Sequence, residues 1–144
     1  MSFDLKVRNG DLVLNRGDLQ TVVDSEKLIQ DILKIALTPA GSNPSFPWYG
    51  SFVSRTLIGS PLGTSIIIQV GQSQLQNAIQ ILMQLQSAQS KSGQSVSADE
   101  QINSILDISI MRSISDPTSY NVRIKVLSKG FKPITTAFTV STLT

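Results

Sequence analysis

Glu26 and Glu100 are the only two glutamates among the 144 residues, and histidine and cysteine are absent. Without them, Ser-His-Asp and Cys-His catalysis are impossible, and the commonest metal ligand is missing. The chemistry left open is carboxylate chemistry. A glycosidase needs two carboxyl groups flanking the bond, one with a raised pKa. Glu26 falls in the first turn of a predicted helix, where a negative charge meets the positive helix end. Glu100 completes the pattern Ser97-Ala98-Asp99-Glu100, a capping box. Both placements are structural ones. The aspartates fall mostly at turns, caps and exposed strand positions, and no acidic pair has metal-ligand spacing. Gly59-Ser60-Pro61-Leu62-Gly63 has the glycines of a phosphate loop but lacks its Lys-Ser/Thr and follows no clear strand. No catalytic, cofactor-binding or metal-ligating set is therefore expected.

Binding chemistry is the alternative. Arg55 and the pair Trp48-Tyr49 either mark a binding surface or pin a proline-rich loop to the core, and the second reading is preferred. Arg123 and Lys125 alternate outward along a strand and read as a solvated face. The segment from Ile134 to Val140 is β-branched and uncharged, with Pro133 just before it. As the last strand of a sheet it would leave an edge without the charges or bulges that natural edges carry, which invites another chain to add a strand. The competing reading covers that edge with the chain's own N-terminal hairpin. The net charge of +2 and the absence of Lys/Arg runs give no support for a nucleic-acid site. No apolar stretch approaches the ~20 residues of a membrane span, and the N-terminus lacks the parts of a signal peptide. Charged residues make up 15 % of the chain, below the usual quarter or so. Such a surface suits packing against neighbours, or an ordinary quiet surface.

The elements that position these residues follow from periodicity. Phe3, Leu5 and Val7 alternate with Asp4, Lys6 and Arg8 as a half-buried strand. Asn9-Gly10 makes the hairpin turn, Leu12 to Leu14 return, and Gly17-Asp18 turns into a short strand over Leu19–Val23. Asp24 is the predicted N-cap of a helix whose apolar face is Leu28, Ile29, Ile32, Leu33, Ala36 and Leu37, with Pro39 ending it. A looped segment over residues 39–50 leads to a helical turn near Ser51–Leu57. The longest helix is expected over about Gln69–Ser90, followed by an exposed connection at 87–98. Period two then returns in three strands. Leu106, Ile108 and Ile110 point inward on the first, Tyr120, Val122, Ile124 and Val126 on the second, and Ile134, Thr136, Phe138 and Val140 on the third. No internal repeat is read. The expectation is one α+β domain over 1–144, with two amphipathic helices packed on a small antiparallel sheet. Its parts are an N-terminal β-hairpin region (1–23), a helical region (24–98) and a C-terminal meander (99–144).

Several pieces, in order, carry a resemblance: Asn9-Gly10-Asp11-Leu12, Gly17-Asp18-Leu19, Gln30-Asp31-Ile32-Leu33, Leu37-Thr38-Pro39-Ala40-Gly41, Tyr49-Gly50-Ser51, Leu57-Ile58-Gly59 and Ala78-Ile79, then a short acidic motif and strands. The chain resembles the baseplate wedge family of contractile-tailed phages. That family includes phage protein W, the wedge subunit called tail lysozyme-like, and the type VI secretion baseplate protein TssE. The resemblance implies a fold like the interlocking domain of sheath subunits and no hydrolytic activity. It also implies contacts with other baseplate wedge proteins, with tail sheath subunits and with the tail tube, six copies per particle, and a place in the virion tail baseplate after assembly in the host bacterial cytoplasm. The family's Glu-Pro-Arg motif is matched here by Asp99-Glu100-Gln101-Ile102, where the proline and arginine are missing. Gln cannot reproduce the arginine's forked pairing.

The expected function is therefore a structural wedge subunit that templates the first sheath ring by strand addition. The expected partner-binding residues are Asp99, Glu100, Gln101 and Ile102 with Ile134, Thr136, Phe138 and Val140. Val140→Pro is expected to spoil strand addition and leave the fold largely intact. The alternatives are a lysozyme-like cell-wall hydrolase built on Glu26 or Glu100, and an unrelated small adaptor or binding module.

Overall fold

The computed structural model describes residues 2–58 and 63–141. Most of the glycine-proline segment weighed against a phosphate loop, Gly59 to Leu62, lies outside the described residues. The architecture is α+β. Helices α1 (Asp24–Leu37) and α3 (Thr64–Lys91) and the short α2 (Val53–Leu57) lie on one face of the C-terminal sheet. That sheet is formed by β7 (Ile102–Arg112), β8 (Ser119–Ser128) and β9 (Pro133–Ser141) in the antiparallel order β7-β8-β9.

The alternation read for β8 and β9 places their inward residues as expected. Tyr120, Val122, Ile124, Val126, Ile134 and Val140 are buried against Leu28, Ile32, Leu75 and Ile79 of the helices. In β7 the register shifts between Ile102 and Ser104 and again between Ile105 and Asp107. Such a bulge advances the side-chain alternation by one residue. Ile105 thus packs on the core, and Leu106, expected inside, is exposed. The inward face of α1 also differs from the one read. Ile35 is buried and Leu37 exposed, and Asp31 is buried within hydrogen-bonding reach of Lys27 at 2.6 Å. Helix α3 starts five residues before the expected Gln69 and continues through 87–91, so the exposed connection shortens to the residues after Lys91.

The loop over 39–50 is closed at its base. Ser51 N–H donates to Thr38 O at 2.9 Å, Ala40 N–H donates to Ser51 O at 3.1 Å, and the Ser51 hydroxyl donates to Ala36 O at 2.6 Å. Gly50 has φ +118°, and a Cβ there would lie 2.4 Å from Thr38 O, so only glycine fits this crossing. Of the two expected anchors, Tyr49 packs on the core. Trp48 is half exposed, edge-on to Phe46 and Tyr49.

The N-terminal region departs most from the reading. It comprises β1 (Asp4–Leu5), β2 (Val7–Arg8), β3 (Asp11–Leu12), β4 (Leu14–Asn15), β5 (Asp18–Leu19) and β6 (Thr21–Val22), paired β2-β3, β4-β5 and β1-β6. The pairs close a triangle, and the sequence shows why. Asp4-Leu5-Lys6-Val7-Arg8-Asn9-Gly10 is followed by Asp11-Leu12-Val13-Leu14-Asn15-Arg16-Gly17 and then by Asp18-Leu19-Gln20-Thr21-Val22-Val23-Asp24. This is a seven-residue repeat, which corrects the reading that none exists. In each unit the fourth residue pairs with the second of the next: Val7 with Leu12, Leu14 with Leu19, Thr21 with Leu5. The third residues meet in a ring, where Lys6 N–H donates to Gln20 O, Gln20 N–H to Val13 O, and Val13 N–H to Lys6 O, at 2.8–3.0 Å. Positive φ at Asn9, Gly10, Arg16 and Gly17 gives the two-residue turns that match strand twist. The second turn is therefore Arg16-Gly17, one residue earlier than read.

Asp24 keeps the positive φ of the third unit's last position, 52°, where the chain turns into α1. It is not the N-cap. Val23 holds that place without a side-chain bond, and the Asp24 carboxylate instead accepts from the Ser97 hydroxyl at 2.7 Å. The module packs on α1. Lys34 donates to Asp4 at 2.5 Å, Gln30 Nε2 donates to Leu5 O, and Val7 N–H donates to Gln30 Oε1. Val22 is buried, but Phe3, Leu5 and Val7, expected half-buried, face solvent, as do Leu12, Leu14 and Leu19.

Arg16 occupies a left-handed conformation that costs a non-glycine residue roughly 1 kcal/mol. Arg16→Asn, which tolerates it better, should raise stability by about 0.5 kcal/mol in urea unfolding. An unchanged or lower midpoint would show that the turn is not limiting.

Candidate functional site

Two candidate segments come from the sequence, and the structure places them differently. The Asp99–Ile102 segment is an internal lock. Ala98–Glu100 forms a single 3-10 turn closed by the expected capping box, with Ser97 N–H donating to Glu100 Oε1 at 3.0 Å. The same oxygen accepts from the Ser2 hydroxyl at 2.7 Å, which fastens the N-terminus. Glu100 is 1 % exposed, and its Oε2 makes no hydrogen bond among the described residues. Gln101 and Ile102 are also buried. Gln101 accepts from Lys129 Nζ at 2.9 Å, and its backbone carbonyl accepts from Lys129 N–H at 2.9 Å. Asp99 is the accessible member, ion-paired with Lys132 at 2.9 Å. That hydrogen bond and the Asp99 charge raise the Lys132 pKa.

The residue that sequence reasoning missed is Gln86, on the last buried turn of α3. Its carboxamide acts as a neighbouring strand would. Nε2 donates to Glu100 O at 3.0 Å, and Ile102 N–H donates to Oε1 at 2.9 Å. Seven residues before it, Ile79 and the apolar face of α3 mark the same side of the helix. That phase was the available signal, masked by the many exposed glutamines around it.

The second segment, β9, is an edge. Among the described residues its paired neighbour is β8 alone, and the N-terminal module pairs only with itself. The side chains of Ile134, Thr136 and Val140 are buried and Phe138 partly so; all belong to the core rather than to a surface. The outward residues are the ones between them. Ser128 N–H donates to Lys132 O at 3.0 Å, and every second pair of an antiparallel ladder is bonded. The register therefore bonds Val126 with Ile134, Ile124 with Thr136, Val122 with Phe138 and Tyr120 with Val140. The N–H and C=O groups of Thr135, Ala137 and Thr139 then point away from β8. No charged residue lies between Pro133 and Ser141. The opposite edge, β7, carries two bulges with Asp107 and Arg112, which are features that blunt an edge. Beside β9, the outer sheet face forms a groove of about 690 Å³ lined by Met111, Ile114, Asn121, Arg123, Ala137 and Thr139.

Val140 is buried and lies in a bonded pair. A proline there would remove a bond within the sheet, which corrects the expectation that Val140→Pro spares the fold.

Asp4 and Asp31 form ion pairs with Lys34, and Asp31 also with Lys27. Burial works to raise the Asp4 carboxyl, but Lys34, Gln30 and the Leu5 N–H outweigh it and hold the pKa below the usual value. Glu26 is exposed on α1. Among the described residues no helix is long and apolar enough to cross a membrane, and no three His, Cys, Asp or Glu residues cluster as a metal site would require.

Gln86→Leu keeps volume but leaves two buried backbone groups unpaired, at ~1–3 kcal/mol each. The expected loss is about 3 kcal/mol in urea unfolding. A loss under about 0.5 kcal/mol would show that the carboxamide does not hold the start of β7.

No protein-family model matches the chain, and no curated protein matches it. Among solved structures, the chain is similar to a protein from Geobacter sulfurreducens provisionally named a tail lysozyme, whose crystal structure was determined at 1.44 Å. The TM-score is 0.60 at 11 % identity, over 91 % of this chain and 96 % of that one. At that identity the likeness shows a shared fold alone.

Proposed function

We propose that the chain is a non-enzymatic structural subunit of a contractile-tail baseplate, a wedge component on which the first sheath ring is templated. The observation that carries this reading is the β9 edge. It is uncharged, and it presents the outward N–H and C=O groups of Thr135, Ala137 and Thr139 on a strand held rigid by its ladder to β8. An incoming sheath strand pairs with those groups, and its alternate side chains reach the groove beside Ala137 and Thr139. Main-chain bonds supply affinity, and the period-two pattern fixes register. The family resemblance and the fold shared with a protein named a tail lysozyme both support this context. By the same analogy the partners are wedge proteins, sheath subunits and tube, with six copies in the virion. Asp99, the partly accessible member of its segment, would contribute through the rigidity of the lock around it.

Ala137→Pro tests the edge. Ala137 is exposed and lies in a non-bonded pair, so proline removes an outward N–H and leaves the β8 ladder whole. Reconstruction of particles by cryo-electron microscopy should place the wild-type chain beneath the first sheath layer, with a sheath strand along residues 135–139. Particles carrying Ala137→Pro should lack sheath. Normal sheath on that variant would remove β9 as the template.

The hydrolase alternative requires an acid in a cleft. Glu26 is solvent-exposed, and Glu100 is enclosed by Ser2 and Ser97. Purified chain should release no soluble fragments from peptidoglycan. Release that disappears with Glu100→Gln would establish the enzyme instead.

A further inference from the structure

The seven-residue repeat has a consequence for surface chemistry that lies apart from the β9 edge. In each unit the second and fourth residues share one side of the triangle, because they are i and i+2 along a strand and face each other across the ladders. Those positions hold Leu5, Val7, Leu12, Leu14, Leu19 and Thr21. The five aliphatic ones are 37–62 % exposed, and Phe3 and Val23, two residues further along each end, are 68 % and 36 % exposed. The charges of the repeat occupy other positions and the turns. Exposure of this extent on seven apolar side chains amounts to about 600 Å², the upper end of the largest patch on a monomer.

We infer that this face is an isologous interface between two copies of the chain. Three observations select a second copy as the occupant. Two such faces together bury roughly 1,000 Å², the lower limit of a specific interface. The face itself is uncharged, since Arg8, Asp11 and Asp18 alternate with its residues along the strands. A two-fold axis requires the patch to complement itself, and an uncharged apolar face does so without like-charge repulsion. The face is also preformed. The ring of three backbone bonds at Lys6, Val13 and Gln20 and the two tight turns fix it, so little order has to be gained on association. The inference stands on this face alone and does not rest on the tail assignment.

Sedimentation equilibrium on the full chain tests it. The 15.6 kDa mass should double as concentration rises from about 1 to about 100 µM. Leu14→Glu combined with Leu19→Lys places a charge pair across one ladder and should leave a monomer with an unchanged circular-dichroism spectrum. Leu14→Gln alone, at the most exposed of the aliphatics, should weaken association at least tenfold, and it decides the matter if the double variant unfolds. Ala137→Pro should dimerise like the wild type. A wild-type chain monomeric throughout, a folded Leu14 variant that still dimerises fully, or a monomeric Ala137→Pro would each overturn the inference.

Discussion

The carboxamide of Gln86 is the contact on which the arrangement of this protein turns. A helix and a sheet packed face to face share no backbone bonds, so their relative position is set by side-chain shape alone. Here one side chain of α3 bonds to both Glu100 O and Ile102 N–H, and so fixes where β7 begins. Around that point the chain gathers its distant parts. Ser2 reaches Glu100, Ser97 reaches Asp24 at the head of α1, and Lys129 and Lys132 from the β8–β9 turn reach Gln101 and Asp99. Polar networks of this kind are favourable only when nearly every member is satisfied. Removing a central member therefore exposes several others at once.

Much of the fold was legible because apolar alternation is strong where one sheet face is buried. The inward residues of β8 and β9, the end of α1 at Thr38 and the helical turn near Arg55 follow from period, proline and spacing. The failures have physical causes. Two bulges in β7 shift the alternation, and a bulge leaves little trace in sequence. In α1 the buried Lys27–Asp31 pair turned the inward face by one position, since a charge read alone is assigned to solvent. The N-terminal repeat is not visible to hydrophobic alternation within single strands, because its period spans a strand, a turn and the start of the next unit. The recurrence of Asp-Leu every seven residues, closed by Gly10 and Gly17, was the signal for a three-way module.

The candidate site was half legible. The openness of β9 could be read from its lack of charge. Which of its residues face outward could not, because that depends on the bonding phase set at the Ser128–Lys132 turn. The residues between the inward ones carry the outward backbone groups. Likewise the Asp99–Ile102 motif looked like a surface signature, and most of it is interior. With Pro and Arg absent, Gln101 and the neighbouring lysines hold the segment to the β8–β9 turn.

The cyclic pairing of the N-terminal units also bears on the order in which the chain acquires its structure. Every partner in the ring and its three ladders lies between Asp4 and Val22, so those contacts have short loops to close and are available as soon as that segment leaves the ribosome. Three two-residue ladders without a covered face cannot persist alone, and α1 is the next segment to emerge. The bond from Ser2 to Glu100 spans 98 residues and must wait for α3 and the 3-10 turn. The module is thus early to find its local partners, while the segment beside it is fastened to the body of the protein only late.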